Sequence, residues 1–188
     1  MLAWIRELPA RALAGGHAAT LWTHEAFDRA TAAPAPLFPS LGFTFASVPV
    51  DHCPGARGVL LRHRMRLEWS VAYSGDGRPS GAFAQLARGA ALLVHECTFA
   101  CDLSGEAVRK RHCTLSEAVG VSLASGAWRT VFTHFSQRYP HALPSSSDAA
   151  GAHVLASCFF AVDGLVLPFS DLAALPQLRA RAAASLGV

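Results

Sequence analysis

The chain has 188 residues, of which 52% are hydrophobic and 15% are charged. This balance predicts a folded domain with a sizeable core and excludes a disordered chain. The net charge of +3 is too small to indicate a polyanion partner by itself. The 5 cysteines lack a CxxC pair, which argues against a disulfide framework or a zinc ribbon. No apolar run reaches the roughly 18 residues that cross a bilayer, so we expect a soluble intracellular protein without a membrane partner.

The first half of the chain predicts a helix, a loop and a group of strands. Residues 2–14 have helical spacing, and the proline-containing segment 32–39 is predicted to be a loop. Strands are predicted in three apolar runs, 41–50, 59–62 and 67–73. The turn around Asp76 then leads into a predicted helix over 80–88.

The second half alternates strands with helices. A short apolar strand over 90–94 is followed by a polar loop rich in Arg and Lys. Thr114 and Glu117 have the spacing of a capping box, which predicts a helix over 115–125. The remaining predictions are a strand at 130–133, a helix from 145 to 157, a hairpin of 159–162 with 165–167, and a C-terminal helix. This alternation favours an α/β layered fold.

Three apolar runs end at side chains that can bind a metal. His52, Asp76 and His134 each follow a predicted strand. Imidazole nitrogen and carboxylate oxygen suit zinc, and catalytic zinc sites place such groups at strand ends. A histidine at a strand end also serves as a hydrogen-bonded structural residue, and Ser-Gly-Asp also forms ordinary turns. The residues alone therefore leave both interpretations open.

Five ordered segments together resemble one family. They are Val50-Asp-His-Cys-Pro54, Tyr73-Ser-Gly-Asp76, Leu93-Val-His-Glu-Cys-Thr98, Lys110-Arg-His-Cys-Thr114 and His134-Phe-Ser-Gln-Arg-Tyr139. In this order they resemble tRNase Z, a zinc-dependent endoribonuclease that removes 3′ trailers from precursor tRNA. The resemblance covers roughly residues 41 to 180, and its last segment is most similar to the long eukaryotic form.

The resemblance implies an α/β fold, the metallo-β-lactamase αβ/βα sandwich, of which this chain would supply the C-terminal half only. Residues 1–40 would be a helical and loop remnant leading into the domain. Residues 41–170 would form the C-terminal half of the metallo-β-lactamase-like domain, and 171–188 a C-terminal helix. The family's compartments imply the nucleus, the mitochondrion or both.

The resemblance also implies roles for individual residues. His52 would bind one zinc ion, His134 the other, and Asp76 would bridge the two. His112 matches the histidine of the family's His-Ser-Thr loop and would protonate the leaving group, with Glu96 orienting it.

The substrate implied by the resemblance is precursor tRNA. Four basic residues could contact its phosphates, Arg138, Arg109, Lys110 and Arg111. A basic run of this kind also occurs as a solvated face.

The chain departs from the family in one important respect. Nothing between Met1 and Val50 resembles the His-x-His-x-Asp-His motif, which supplies the other metal ligands. We therefore expect weak zinc binding by this chain alone, and a missing N-terminal half or a partner chain that completes the site. Smaller departures are Gly77, where the family usually has Thr and where we expect a looser turn, and Cys113 in place of Ser.

Three interpretations follow from this departure. The chain could be a fragment of a complete tRNase Z. It could be a non-catalytic subunit or relic of the fold. It could also be a different hydrolase of the same superfamily, acting on thioesters or lactones.

Overall fold

The computed structural model describes residues 35–38, 42–63, 69–137 and 158–177. Within these residues a seven-stranded sheet has its strands side by side in chain order. The strands are β1 (Ala35–Phe38), β2 (Phe43–Pro49), β3 (Arg57–His63), β4 (Trp69–Tyr73), β5 (Leu92–Glu96), β6 (Arg129–Thr133) and β7 (Cys158–Phe160). Neighbouring strands are antiparallel from β1 to β4 and parallel from β4 to β7.

Parallel strands require crossover connections, and helices form the two crossovers that the structure describes. The chain passes through α1 (Gly81–Leu86) between β4 and β5, and through α2 (Ser104–Lys110) and α3 (Leu115–Ser125) between β5 and β6. Short 3₁₀ helices occupy Cys101–Leu103 and Phe169–Ala174. The capping box predicted at the start of α3 is confirmed, since the Thr114 side chain and the Glu117 side chain each accept from the other's backbone N–H.

The core lies on both faces of the sheet. On one face, Leu60 and Leu93 pack against Phe83 of α1 and Val121 of α3. A second cluster joins Phe132 to Leu115 and Val119 of α3, along with Cys113 and Phe160. A third contains Val131, Phe159 and Leu175. The helices therefore hold the loops at the carboxyl ends of β4, β5 and β6 against a packed core.

The structure confirms the strands predicted at 41–50, 59–62, 67–73, 90–94 and 130–133 and the helices predicted at 80–88 and 115–125. Three other expectations are wrong. The segment expected as a loop over 32–39 includes β1, whose Pro36 is tolerated because β1 is an edge strand. The polar loop expected after Glu96 contains α2, a surface helix whose buried position is Ala107. The expected hairpin is not formed, because β7 pairs in parallel with β6 and residues 165–167 are not a strand.

Two expected helices, at 2–14 and 145–157, lie outside the described residues, as does the part of the expected C-terminal helix from 178 to 188. The described start of that segment lies in the 3₁₀ helix Phe169–Ala174. Within the described part of the chain, no helix is both long enough and apolar enough to cross a membrane.

Candidate metal centre and acid pair

The site residues lie at one edge of the sheet because of the strand directions. Asp76 follows β4, Glu96 ends β5 and His134 follows β6, and these three strands are parallel neighbours. The carboxyl ends of parallel strands meet at the same sheet edge. β2 runs parallel to β4, since each is antiparallel to β3, so His52 leaves the sheet at that edge too.

The turn that presents Asp76 depends on glycine. Gly75 has a φ of 62°, and a Cβ added there would lie 2.7 Å from the carbonyl oxygen of Arg57. Only glycine fits this position without strain. The second glycine of the turn, Gly77, donates its N–H to Glu96 Oε1 at 3.0 Å, and its carbonyl accepts from the Cys113 thiol at 3.1 Å. Hydrogen bonds to both the N–H and the carbonyl of Gly77 therefore hold the turn in place, although this residue is a glycine.

Glu96 is a buried carboxylate with both oxygens fully engaged. Its side chain is 1% exposed. Oε1 accepts from Gly77 N–H and from His112 Nδ1, the latter at 2.8 Å. Oε2 accepts from the backbone N–H of Thr98 at 3.0 Å and from its hydroxyl at 2.8 Å. Because its lone pairs are used within the protein, Glu96 is suited to orienting His112 rather than to binding a metal.

Thr98 fixes the orientation of His134. The Thr98 hydroxyl donates to Glu96, so its oxygen must accept from His134 Nδ1, which lies 2.7 Å away. This assigns the proton to Nδ1 and leaves Nε2 as the free nitrogen of His134. His134 itself has a φ of 62°, an uncommon conformation for a residue with a side chain. Backbone strain of this kind is typical of functional positions.

Three histidine rings converge above this carboxylate. The ring of His112 lies 4.6 Å from that of His52 and 5.2 Å from that of His134, measured between centroids. His52 Nδ1 is 2.9 Å from the Arg111 carbonyl oxygen, and Arg111 donates back to the His52 carbonyl at 2.8 Å. In all three histidines Nδ1 is held by an oxygen, and Nε2 makes no hydrogen bond within the described part of the chain.

The donor atoms at this edge fit a zinc ion. His134 Nε2 lies 3.6 Å from Asp76 Oδ2. Two ligands of one tetrahedral zinc, each about 2.0–2.1 Å from the ion, lie roughly 3.3–3.4 Å apart. Both side chains are partly exposed, at 44% and 34%, so solvent can enter. Metal-binding histidines usually donate their second nitrogen to an oxygen, as these do.

A different ligand set is geometrically close. Single donor atoms of Glu96, His112 and His134 lie within 4.8 Å of one another. We favour His134 with Asp76, because both oxygens of Glu96 already accept hydrogen bonds and His112 Nδ1 is engaged by Glu96.

Arg78 connects the Asp76 turn to the His112 loop. Its guanidinium donates to the His112 carbonyl at 2.6 Å and to both carboxylate oxygens of Glu117 in α3. Burial alone would raise the pKa of Glu117, but the hydrogen bonds from Arg78 and Thr114 outweigh it and lower that pKa. Arg78 thus stabilises the loop that carries His112.

The basic run is largely engaged with its own surroundings. Arg109 and Lys110 both face Glu106, with N to O distances of 2.8 and 3.7 Å. Arg111 contacts the His52 carbonyl and lies 3.8 Å from Asp51. Arg109 remains the most exposed of the ion-paired ones, with 66% of its side chain accessible. Arg138 lies outside the described residues.

Comparison with known proteins identifies the region that carries this site. No family model matches the chain. The mitochondrial tRNAse Z TRZ4 of Arabidopsis thaliana is 40% identical over 140 residues, which is 70% of this chain and 14% of that protein. The matched region belongs to the tRNase Z family. The zinc phosphodiesterase ELAC protein 2 of Rattus norvegicus is 36% identical over 137 residues, covering 71% of this chain and 15% of that protein.

Solved structures place this tRNase Z region in a known fold. A long form RNase Z from yeast superimposes with a TM-score of 0.67 and 33% identity, over 77% of this chain and 20% of that one. The metallo-β-lactamase fold protein YhfI from Bacillus subtilis gives a TM-score of 0.55 at 18% identity, over 77% of this chain and 61% of that one. The expected metallo-β-lactamase fold is therefore confirmed. The chain spans only about one seventh of the length of the curated tRNase Z relatives that it matches.

The structure brings together five side chains that the sequence singled out. They are His52, Asp76, Glu96, His112 and His134. Sequence reasoning assigned no role to Thr98 or to the pair of Arg78 with Glu117. Thr98 could have been found from its position two residues after Glu96 in a segment already matched to tRNase Z. The Arg78 contact joins residues 39 apart and has no local signal.

Proposed function

We propose that this chain is the C-terminal half of a tRNase Z-type metallo-β-lactamase sandwich and contributes to cleavage of precursor tRNA at its 3′ end. The observation that carries the proposal is the shared arrangement of His52, His112 and His134, each with Nδ1 held by an oxygen and with no hydrogen bond to Nε2 among the described residues. Family membership of the matched region supports the substrate, and the word zinc in the name of the rat relative supports the metal.

His52, Asp76 and His134 would hold zinc, with two ions in the complete enzyme and Asp76 shared between them. Zinc bound there would supply an activated water and a Lewis acid for phosphodiester hydrolysis. Thr98 would keep His134 in the Nδ1–H form, which preserves Nε2 for the metal. The Arg111 carbonyl would do the same for His52.

His112 and Glu96 would form the acid pair. Glu96 accepts from His112 Nδ1 and so fixes the ring, leaving Nε2 to donate a proton to the leaving 3′ oxygen. The His112 side chain is 14% exposed and lies between the rings of His52 and His134, which would place this proton next to the metal ligands. Arg109, Lys110, Arg111 and Arg138 would add contacts to RNA phosphates.

The remaining ligands would come from a partner or from a longer polypeptide, because the His-x-His-x-Asp-His motif is absent from this sequence. The same absence favours a second candidate, a non-catalytic subunit or relic of the fold. The mitochondrial name of the Arabidopsis relative supports a mitochondrial compartment for the proposed enzyme.

The test is cleavage of a 3′-extended precursor tRNA by the native polypeptide, recovered from cells with an antibody against this region. We expect precise removal of the 3′ trailer by a polypeptide well above 20 kDa, and loss of cleavage on Asp76→Ala. Asp102→Ala is the matched control, because Asp102 is an exposed aspartate in the 3₁₀ helix that follows β5. An inactive native polypeptide near 20 kDa would favour the non-catalytic candidate. Hydrolysis of a thioester or lactone without RNA cleavage would favour a different hydrolase.

A further inference from the structure

A cavity lies at the end of the sheet opposite to the candidate metal centre. Its volume is about 410 Å³, and its lining includes Arg62, Ser70, Ala91 and Trp128. Ser70 is near the start of β4, while Ala91 and Trp128 immediately precede β5 and β6. These are the amino ends of the parallel strands, whereas Asp76, Glu96 and His134 are at the carboxyl ends. The volume is within the range of small-molecule sites, about 300–1,000 Å³.

Arg62 lines this cavity, and one nitrogen of its guanidinium is an unsatisfied donor. Its Nε is buried and has no hydrogen-bond partner among the residues that the structure describes. The hydroxyl of Thr44, the register partner of Arg62 on β2, is buried and unpartnered within the same described residues. Buried polar groups without partners are uncommon, because each loses its hydrogen bonds to water. A buried cationic nitrogen of this kind is the feature expected where an anionic ligand binds.

The rest of the cavity wall is held by backbone hydrogen bonds. Trp128 N–H donates to the Ala90 carbonyl, and Gly89 N–H donates to the Ser125 carbonyl, both at 2.9 Å. The Ser70 hydroxyl oxygen accepts from Ala91 N–H at 3.1 Å, and its own hydrogen has no acceptor among the residues that the structure describes. These hydrogen bonds hold the wall in place, so the main rearrangement that binding requires is a movement of the Arg62 side chain that uncovers its buried Nε.

The cavity that Arg62 lines is also lined by an aromatic side chain, Trp128. Trp128 is 50% exposed. The Arg129 guanidinium lies over one face of its indole, 4.4 Å from the ring centroid, so a base would stack on the opposite face. An arginine fork matches the oxygens of a phosphate, and an indole stacks on nucleobases of any sequence. We propose that this cavity binds a phosphate-bearing nucleotide, with the phosphate on Arg62 and Ser70 and the base on Trp128. The nucleotide could be free or could be the end of an RNA strand, and this site does not depend on the proposed cleavage activity.

The test is a titration of the full 188-residue chain, labelled with ¹⁵N, with adenosine monophosphate. We expect saturable shifts of both the Arg62 Nε–H and the Trp128 indole N–H resonances. Adenosine without phosphate should shift only the Trp128 resonance. A 5′-phosphorylated oligoribonucleotide that binds more tightly than the mononucleotide would indicate an RNA end as the source, and equal binding would indicate a free nucleotide.

Matched variants distinguish nucleotide binding in the cavity from a general effect of positive charge. Arg62→Met should weaken binding of adenosine monophosphate about tenfold or more, the loss expected for charge-assisted hydrogen bonds. Arg88→Met removes the same charge from an exposed arginine of a nearby segment and should change binding by less than about twofold. Ser70→Ala provides a second, smaller change in the cavity and should weaken the phosphate contact while keeping the Trp128 shift.

Two results would overturn the proposal. One is an Arg62 Nε–H resonance that stays unmoved up to millimolar nucleotide while the chain is folded. The other is a glutamate-rich peptide that shifts Arg62 and Trp128 where the nucleotide does not, which would identify the cavity as a contact for an acidic protein segment.

Discussion

Thr98 links the two parts of the candidate site through one hydroxyl group. It donates to Glu96 and accepts from His134 Nδ1, and it lies 3.3 Å from His112 Nδ1. Its backbone N–H also donates to Glu96. The carboxylate that orients the proposed acid is therefore the same one that, through Thr98, sets the tautomer of a proposed metal ligand.

Replacing Thr98 by valine should weaken zinc binding at His134 by about 10–100-fold, the usual effect of losing an outer contact to a ligand. The isosteric side chain keeps the volume but leaves His134 Nδ1 without its acceptor. A zinc titration followed through the histidine ring resonances measures the change. Thr98→Ser keeps the hydroxyl and serves as the control. Equal zinc affinity in the valine variant would mean that Thr98 does not set the His134 tautomer.

Residue identity at the site was predictable, but the links between residues were not. His52, Asp76, Glu96, His112 and His134 stand in short ordered segments that can be matched without a structure. Thr98 could have been assigned from its segment as well. The Arg111 carbonyl that holds His52 is a backbone group 59 residues away, so no side-chain pattern indicates it.

At the scale of elements, the ion pair of Arg78 with Glu117 joins the β4–α1 turn to the first turn of α3. The two side chains are 19% and 28% exposed, so solvent screens the pair only in part. Glu117 also completes the capping box by accepting from the backbone N–H of Thr114. One carboxylate thus stabilises both the helix start and the loop that holds His112.

Glu117→Gln should destabilise the chain by about 1–3 kcal/mol at neutral pH, the range for lost caps and charged hydrogen bonds. The pKa of Glu117 is lowered in the folded state, so its contribution is complete above the unfolded pKa of about 4.3 and is lost as pH falls through the folded pKa. Urea unfolding at pH 7 and at pH 3 measures this. The gap between the native chain and the variant should narrow at the lower pH.

Glu106→Gln is the control for that experiment. Glu106 pairs with Arg109 and Lys110 on the surface of α2, and exposed pairs of this kind contribute about 0.3–0.5 kcal/mol. A gap for Glu117→Gln that is the same at both pH values would show that the carboxylate charge is not responsible.

The contact between β3 and α1 leaves no room at Gly58. A Cβ added there would lie 2.4 Å from Cδ2 of Phe83, a ring that is 1% exposed. Gly58→Ala should therefore destabilise the chain by about 1–3 kcal/mol, because a buried ring cannot move aside freely. Gly120 lies within α3 with nothing within 4 Å of its added Cβ. Gly120→Ala should stabilise the chain by about 0.5–1 kcal/mol, and urea unfolding compares the two. Equal effects of the two changes would contradict the packing at Gly58.

The elements that sequence analysis missed lacked a local signal of their own. α2 has Ala107 as its buried residue, so it shows no apolar stripe. β1 contains Pro36 and is flanked by Pro34 and Pro39, and these prolines favour a loop in any single-sequence interpretation. β7 resembles the first strand of a hairpin because Asp163-Gly164 follows it, but its partner is β6, and parallel pairing joins segments far apart in the sequence.

At the scale of the whole molecule, the sheet that carries the proposed metal ligands is formed, but the proposed set of zinc ligands is incomplete. The parallel strands and their helices position His52, Asp76 and His134 at one edge. With Asp76 shared, each proposed zinc ion would have two ligands from this chain, where catalytic zinc sites normally use three protein ligands. The fold therefore organises the ligands that it has without supplying a full set.

This incomplete set predicts a small response of the chain to zinc. With a dissociation constant near 1 mM, zinc at about 100 μM would add only about 0.06 kcal/mol to the free energy of unfolding. For a chain of this size such a change moves the melting temperature by less than about 1 °C. Thermal unfolding with and without zinc measures this shift in melting temperature. Asp76→Ala should abolish the small shift.

A polypeptide with a complete set of zinc ligands should gain much more stability from zinc than the isolated chain does. Comparing the two zinc-dependent shifts in melting temperature therefore decides whether the ligand set is complete. If the native polypeptide supplies the missing ligands and binds zinc near 1 nM, the same zinc concentration would add about 6–7 kcal/mol, and chelation should lower its melting temperature by more than about 10 °C. A large zinc shift in the isolated chain that disappears on dilution would instead indicate that two copies share ligands. A large shift independent of concentration would require further ligands within the 188 residues themselves and would overturn the half-site interpretation.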